Sequence, residues 1–300
     1  MFSKEIQLNT LMSEMLQAEP TASDSILKLQ SLARVYIALY RLQAVNPTRK
    51  ESGTQREFTR KVNLLFQLLF EKASHIRDFA GRSRLLSTLF SLIYGTACAS
   101  DVEKDNRCRT AVVSLMREYE EAWQTSATDR MNEKAIIGIC RCLTDFYYPS
   151  SEEEEEDEWF LLLKHTLAQW SETLSADGSW KDVSDPLALE RIEIMNRNSY
   201  LLLDSDYDEP IRRAYRYYSR HILLRPSTNP DVLTELSVLG WLYETAMQEN
   251  VYGADRQTVK QIMDRMSECS DRSPQGSDER LFCLSYQIDH LCEEILFLNH

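Results

Sequence analysis

Apolar residues recur along this chain at three- and four-residue intervals, without the sustained alternation of a half-buried strand. Over 3–18, Ile6, Leu8, Leu11, Met12, Met15 and Leu16 share most of one face, which predicts an amphipathic helix ending before Pro20. Thr21, Ser23 or Asp24 is placed to cap a second helix over about 25–45, whose middle, VYIALY (35–40), is uncharged. A third, over about 55–78, sets Arg56, Arg60, Lys61, Glu71 and Lys72 against an apolar face. The stretch Leu85 to Ser100, LLSTLFSLIYGTACAS, carries no charge. It is shorter than the roughly 20 apolar residues of a membrane span, and it predicts a helix buried on nearly all sides.

The pattern then repeats. A charged helix is expected at about 106–125, and Asn132 is placed to cap one containing AIIGIC (135–140). Further helices are expected at about 158–175, from Leu187 through NSYLLL (198–203), and at 209–224. Asn229-Pro230 opens one containing LSVLGWLY (236–243), a charged helix follows at about 256–268, and the last, from Asp278, contains LFCLSYQI (281–288). Every second helix of these twelve has a charge-free middle, at intervals of about 44 to 58 residues. A period of that size is the mark of helical-hairpin repeats. The expected architecture is one all-α domain over 1–300, six hairpins in two layers, the charge-poor helices inside. Six hairpins can close into an (α/α)6 toroid or stay open as a solenoid. Gly95, Gly138 and Gly240 in inner helices favour the close helix approach of a closed ring.

This layout resembles the α/α-toroid folds of six-hairpin glycosidases, polysaccharide-lyase helical domains and lanthionine cyclases, over most of the chain. DGSWKD (177–182) is similar to a turn of lyase helical domains. The resemblance implies a pocket on the ring axis or at its mouth. The zinc set of lanthionine cyclases, two Cys and one His with HG motifs, has no match here, nor have the Asn, His and Tyr motifs of the lyases.

Composition narrows the classes. Eight glycines and eight prolines in 300 residues are few for a sheet-rich fold, which supports all-α. A net charge of −13 excludes a general nucleic-acid binder and suits a basic partner. Seven cysteines without regular spacing, several in apolar stretches, fit a reducing cytoplasm. The amphipathic MFSKEIQLNTLMSEML lacks the apolar core of a secretory signal, so the expected location is cytoplasmic, away from membranes.

Candidate chemistry is sparse. The loop 176–186 supplies Asp177, Trp180, Asp182 and Asp185. Two carboxylates in different environments can divide acid and base roles at a glycosidic bond, with an indole stacking on sugar. The same residues also serve as turn former, hairpin cover and helix cap. Tyr94, Arg141, Asp145, Asn196, Glu244, Tyr286, Asp289 and His290 are the polar set of the inner helices, and would line an axial ligand pocket if they converge. Arg212, Arg216 and Arg220 form a stripe suited to an anion, while the acids at 204, 206, 208 and 209 offer intramolecular partners. The acidic run 152–158 reads as a solvated loop or a docking point for a basic partner. Cys140 and Cys142 point to different helix faces, no His lies three or four residues from another His or a Cys, and no metal site is expected. The phosphate-cradling GxxxxGKS/T and GxGxxG loops and the GxSxG elbow are missing, so no cofactor is expected. The expectation is a non-enzymatic helical-repeat protein that binds a protein or peptide. The alternative is a carbohydrate-active or modifying enzyme using the carboxylates of 176–186.

Overall fold

The structure, a computed structural model, describes residues 2–16, 19–45, 52–76, 79–96, 102–125, 129–146, 158–173, 186–198, 232–249 and 256–298, with six residues between 213 and 223. Among the described residues the chain is 91% helical and contains no strand. Eleven helices are delimited: α1 (Phe2–Met15), α2 (Ile26–Val45), α3 (Ser52–His75), α4 (Phe79–Tyr94), α5 (Val102–Thr125), α6 (Asp129–Phe146), α7 (Glu158–Thr173), α8 (Pro186–Arg197), α9 (Val232–Glu249), α10 (Arg256–Arg272) and α11 (Asp278–Leu298). Arg213, Arg216, Tyr217, Ser219, Arg220 and Leu223 are also helical, inside the expected 209–224. No helix among the described residues is long and apolar enough to cross a membrane.

Contacts divide the chain into two compact units. The first comprises Met1–Val113 and Met263–His300, the second Ser114–Ile262, with the boundaries inside α5 and α10. In the first unit α2 is the centre: Val35, Tyr36, Ile37, Ala38 and Leu39 are consecutive and all buried, which a helix permits only with neighbours on every side. Those neighbours are α3, α4 and, most extensively, α11. α11 has the same character, being buried continuously from Leu281 to Tyr286, and it also packs on α1. α3 is one-sided, with Phe58, Val62, Leu65, Phe66, Leu69 and Ala73 buried on one stripe and Arg56, Arg60 and Glu71 exposed.

In the second unit α6 packs on α7 and α8, and α8 packs on α7 and α9. The core there is supplied by Ile137, Ile139, Cys140 and Leu143 of α6, Leu163 and Leu167 of α7, Ile192, Ile194 and Met195 of α8, and Leu239, Leu242 and Tyr243 of α9.

Three details differ from the sequence expectation. The helix read from Leu85 to Ser100 begins at Phe79 and ends at Tyr94, because Gly95 closes it with an N–H to Ser91 O bond of 2.7 Å. Gly95 is required by contact: a Cβ there would lie 2.8 Å from Ile37 Cγ2 and 2.5 Å from Ser91 O. α2 is capped by Ser25, whose Oγ accepts from Lys28 N at 3.0 Å, while Asp24 accepts from Thr21 N at 2.8 Å. Finally, α10 continues to Arg272, so the turn into α11 is tight: Ser277 N donates to Pro274 O at 3.1 Å with Gly276 at φ 76°.

Candidate functional site

Two polar clusters contain residues marked by the sequence, one in each unit. In the first unit, Tyr94 stands at the last residue of α4, one turn beyond Phe90, and the two rings stack at 6.0 Å. It is not buried toward an axis: its side chain is 55% exposed. Its hydroxyl donates to Asp105 Oδ1 at 2.7 Å and accepts from Arg109 Nη2 at 2.9 Å, while Arg109 Nε donates to Asp105 Oδ2 at 2.8 Å. Asp105 and Arg109 are one turn apart on α5, so their i,i+4 pairing forms a preset cradle for the phenol. Partial burial and donation to Asp105 push the Tyr94 hydroxyl pKa up. Burial acts to raise Asp105, but the hydrogen bonds from Arg109 and Tyr94 prevail and hold its carboxyl below the ordinary range. Val102, Asn106, Arg109 and Val113 follow at intervals of four, three and four residues, which places them on one stripe of α5. All four are exposed, Val102 by 71% and Val113 by 49%. The face thus combines a held tyrosine, an arginine and two bare valines.

In the second unit, Arg141 of α6 reaches across to α8. Its Nη2 donates to Glu193 Oε2 at 2.9 Å and its Nη1 to Glu193 Oε1 at 3.4 Å, a two-pronged pairing. Glu190 Oε2 lies 3.8 Å from the same Nη2, and Arg197 Nη1 lies 4.0 Å from Glu193 Oε1. The side chains of Arg141, Glu190 and Glu193 are 9%, 8% and 6% exposed. One turn further along α6, Thr144 Oγ1 accepts from Asn198 Nδ2 at 2.8 Å, and the same amide donates to Ile194 O at 2.7 Å. Arg191 pairs with Glu133 alongside. These hydrogen bonds and ion pairs tie the two helices together, and their chemistry is that of a polar lock fixing α6 against α8.

The other sequence candidates do not join either cluster. Asn196, three residues from Glu193 on α8, is half-buried. Glu244 is half-buried on α9. His290, on α11, is held below its ordinary pKa by burial, and Lys4 adds to that while Glu294 and Glu293 oppose it. Tyr286 is engaged by Arg34, whose guanidinium carbon lies 3.7 Å from the ring centroid and whose Nη2 donates to the hydroxyl at 2.7 Å. Arg216 and Arg220 are exposed. Asp177, Trp180, Asp182, Asp185, Arg212, residues 152–157 and the side chain of Asp145 lie outside the described residues. No group of three or more His, Cys, Asp or Glu among the described residues is placed to hold a metal ion. Sequence reasoning missed Glu190, Glu193, Asp105, Arg109 and the exposed valines. The signal for the first two was the three-residue spacing of carboxylates on α8.

Comparison of the chain with protein-family models, curated proteins and solved structures finds no match.

Proposed function

We propose that this chain is a non-enzymatic helical-repeat protein whose work is to bind a protein or peptide, and that the face of Tyr94, Val102, Arg109 and Val113 is its contact surface. The carrying observation is the held but exposed Tyr94, cradled by Arg109 and Asp105 beside two bare valines. Tyrosine and arginine dominate the energetic centres of interfaces, and a side chain fixed before binding loses little entropy on docking. The acidic balance of the chain, −13, suits a basic partner. A reducing cytoplasm and an (α/α)6 ring belong to the same reading. The ring is supported by packing of α1 and α2 against α11 in the first unit, and by packing of every second helix on the next, α2 on α4, α6 on α8 and α8 on α9.

The test is site-specific photocrosslinking in native cells with the reactive group at Val102 or Val113, and at Arg272 as an exposed control. One partner crosslinked from the two valine positions, and lost in Tyr94→Ala, is the expected result. Equal labelling from all three positions, or labelling that survives Tyr94→Ala, would overturn the assignment of this face.

A further inference from the structure

α10 and α11 are joined by the five residues 273–277, so the two helices run back to back as a hairpin. Their register is set by Ser270. Its carbonyl accepts from Arg280 Nη1 at 2.6 Å, and its hydroxyl accepts from Gln287 Nε2 at 3.2 Å. Arg280 and Gln287 are two turns apart on one stripe of α11, and the position between them on that stripe is Cys283. Cys269, the neighbour of Ser270, therefore lies at the level of Cys283, near enough to be among the groups that raise the Cys283 thiol's pKa. Both are free. Their exposures differ: Cys283 is fully buried, whereas Cys269 is half-buried, with its sulfur 4.0 Å from Ser273 Oγ.

We infer that Cys269 and Cys283 are a reactive dithiol that a low-molecular-weight disulfide such as oxidised glutathione converts into a bond stapling α10 to α11. Cys269, the accessible sulfur, attacks first: its thiolate forms a bond to one glutathione sulfur, and the other glutathione leaves and takes up a proton. Cys283 then attacks the Cys269 sulfur, the mixed disulfide breaks, and the second glutathione leaves with the proton that Cys283 gave up. Two protein thiols are oxidised and one glutathione disulfide is reduced to two thiols. Burial pushes the Cys283 thiol up, so it is a poor first nucleophile and its role is to resolve. The same burial protects Cys108, Cys140 and Cys292.

The staple would close the loop from 269 to 283 around an exposed turn, Pro274 to Gly276. The full-length protein, incubated with oxidised glutathione under native conditions, should lose the mass of two hydrogen atoms and yield a linked peptide joining Cys269 to Cys283. Cys283→Ala should instead stop at a stable glutathione adduct on Cys269, and dithiothreitol should reverse both products. An adduct on Cys269 of the wild-type chain that does not resolve would overturn the inference. So would a link joining Cys269 to another cysteine, or no reaction at either residue. The peptide map reads the wild-type chain directly, so the result stands even if a variant fails to fold.

Discussion

Arg141 shows what a buried charge demands. A guanidinium at 9% exposure is tolerable only with carboxylates in hydrogen-bonding range, and Glu193 supplies both of its oxygens. Glu193→Ala should lower the stability of the fold by about 3–5 kcal/mol, because an arginine is left with Glu190 at 3.8 Å as its remaining carboxylate in this cluster. Glu268, 63% exposed and one turn from Arg272, is the contrast, and Glu268→Ala should cost less than about 1 kcal/mol. Denaturant unfolding followed by circular dichroism measures both. Equal losses would show that the α6–α8 pair is not the strut described. The residue scale was also where the sequence was hardest to read. Arg141 stood out because it follows AIIGIC directly, yet its partner is 52 residues away. Tyr94 stood out as an inner polar group, but it closes its helix and faces water.

Elements were far more legible, since a helix announces itself through local spacing. VYIALY and LFCLSY mark α2 and α11 without ambiguity, and burial around their whole circumference follows from the missing charges. The ends were less legible. Arg82 and Arg84 concealed the first turn of α4, although Arg82 Nε donates to Ile76 O at 3.2 Å and fits there well. How elements dock is set by pairs such as Arg34 with Tyr286 and Glu14 with Arg280, each more than two hundred residues apart. Glu14 is held below the ordinary carboxylate range by hydrogen bonds from Arg280 at 2.5 and 3.1 Å. Its contribution is therefore present above its ordinary pKa of 4.5 and lost as pH falls below that, through its lower folded value. The melting temperature of the wild type should exceed that of Glu14→Gln at neutral pH. The gap should close progressively below about pH 4.5. A gap unchanged down to pH 2.5 would remove Glu14 as the pH-sensitive tie between α1 and α11.

At the scale of the whole molecule, helical content and alternation of charge along the chain follow from composition and period. The division into two units does not, because no Pro- or Gly-rich linker marks it and both boundaries fall inside helices. Contiguity separates the units instead: the second is one uninterrupted stretch, while the first is assembled from two stretches of chain. Removing α11 exposes the most extensively covered side of α2, including apolar residues that are otherwise dry. A chain ending at Ser277 should thus bind a hydrophobic dye such as anilinonaphthalene sulfonate strongly, while the full chain does not. Weak dye binding by the shortened chain would mean that α2 finds other cover.

The place of α11 has a consequence for biosynthesis. Translation delivers α2 well before its principal neighbour, so while residues 46–277 are made the apolar circumference of α2 waits for a partner not yet made. Residues 114–262 emerge in that interval and can collapse on their own local contacts. Vectorial synthesis thus imposes an order opposite to the chain's numbering: residues 114–262 can be finished before the preceding stretch that waits for α11. A holding factor that shields exposed helices on nascent chains would have its longest engagement at α2.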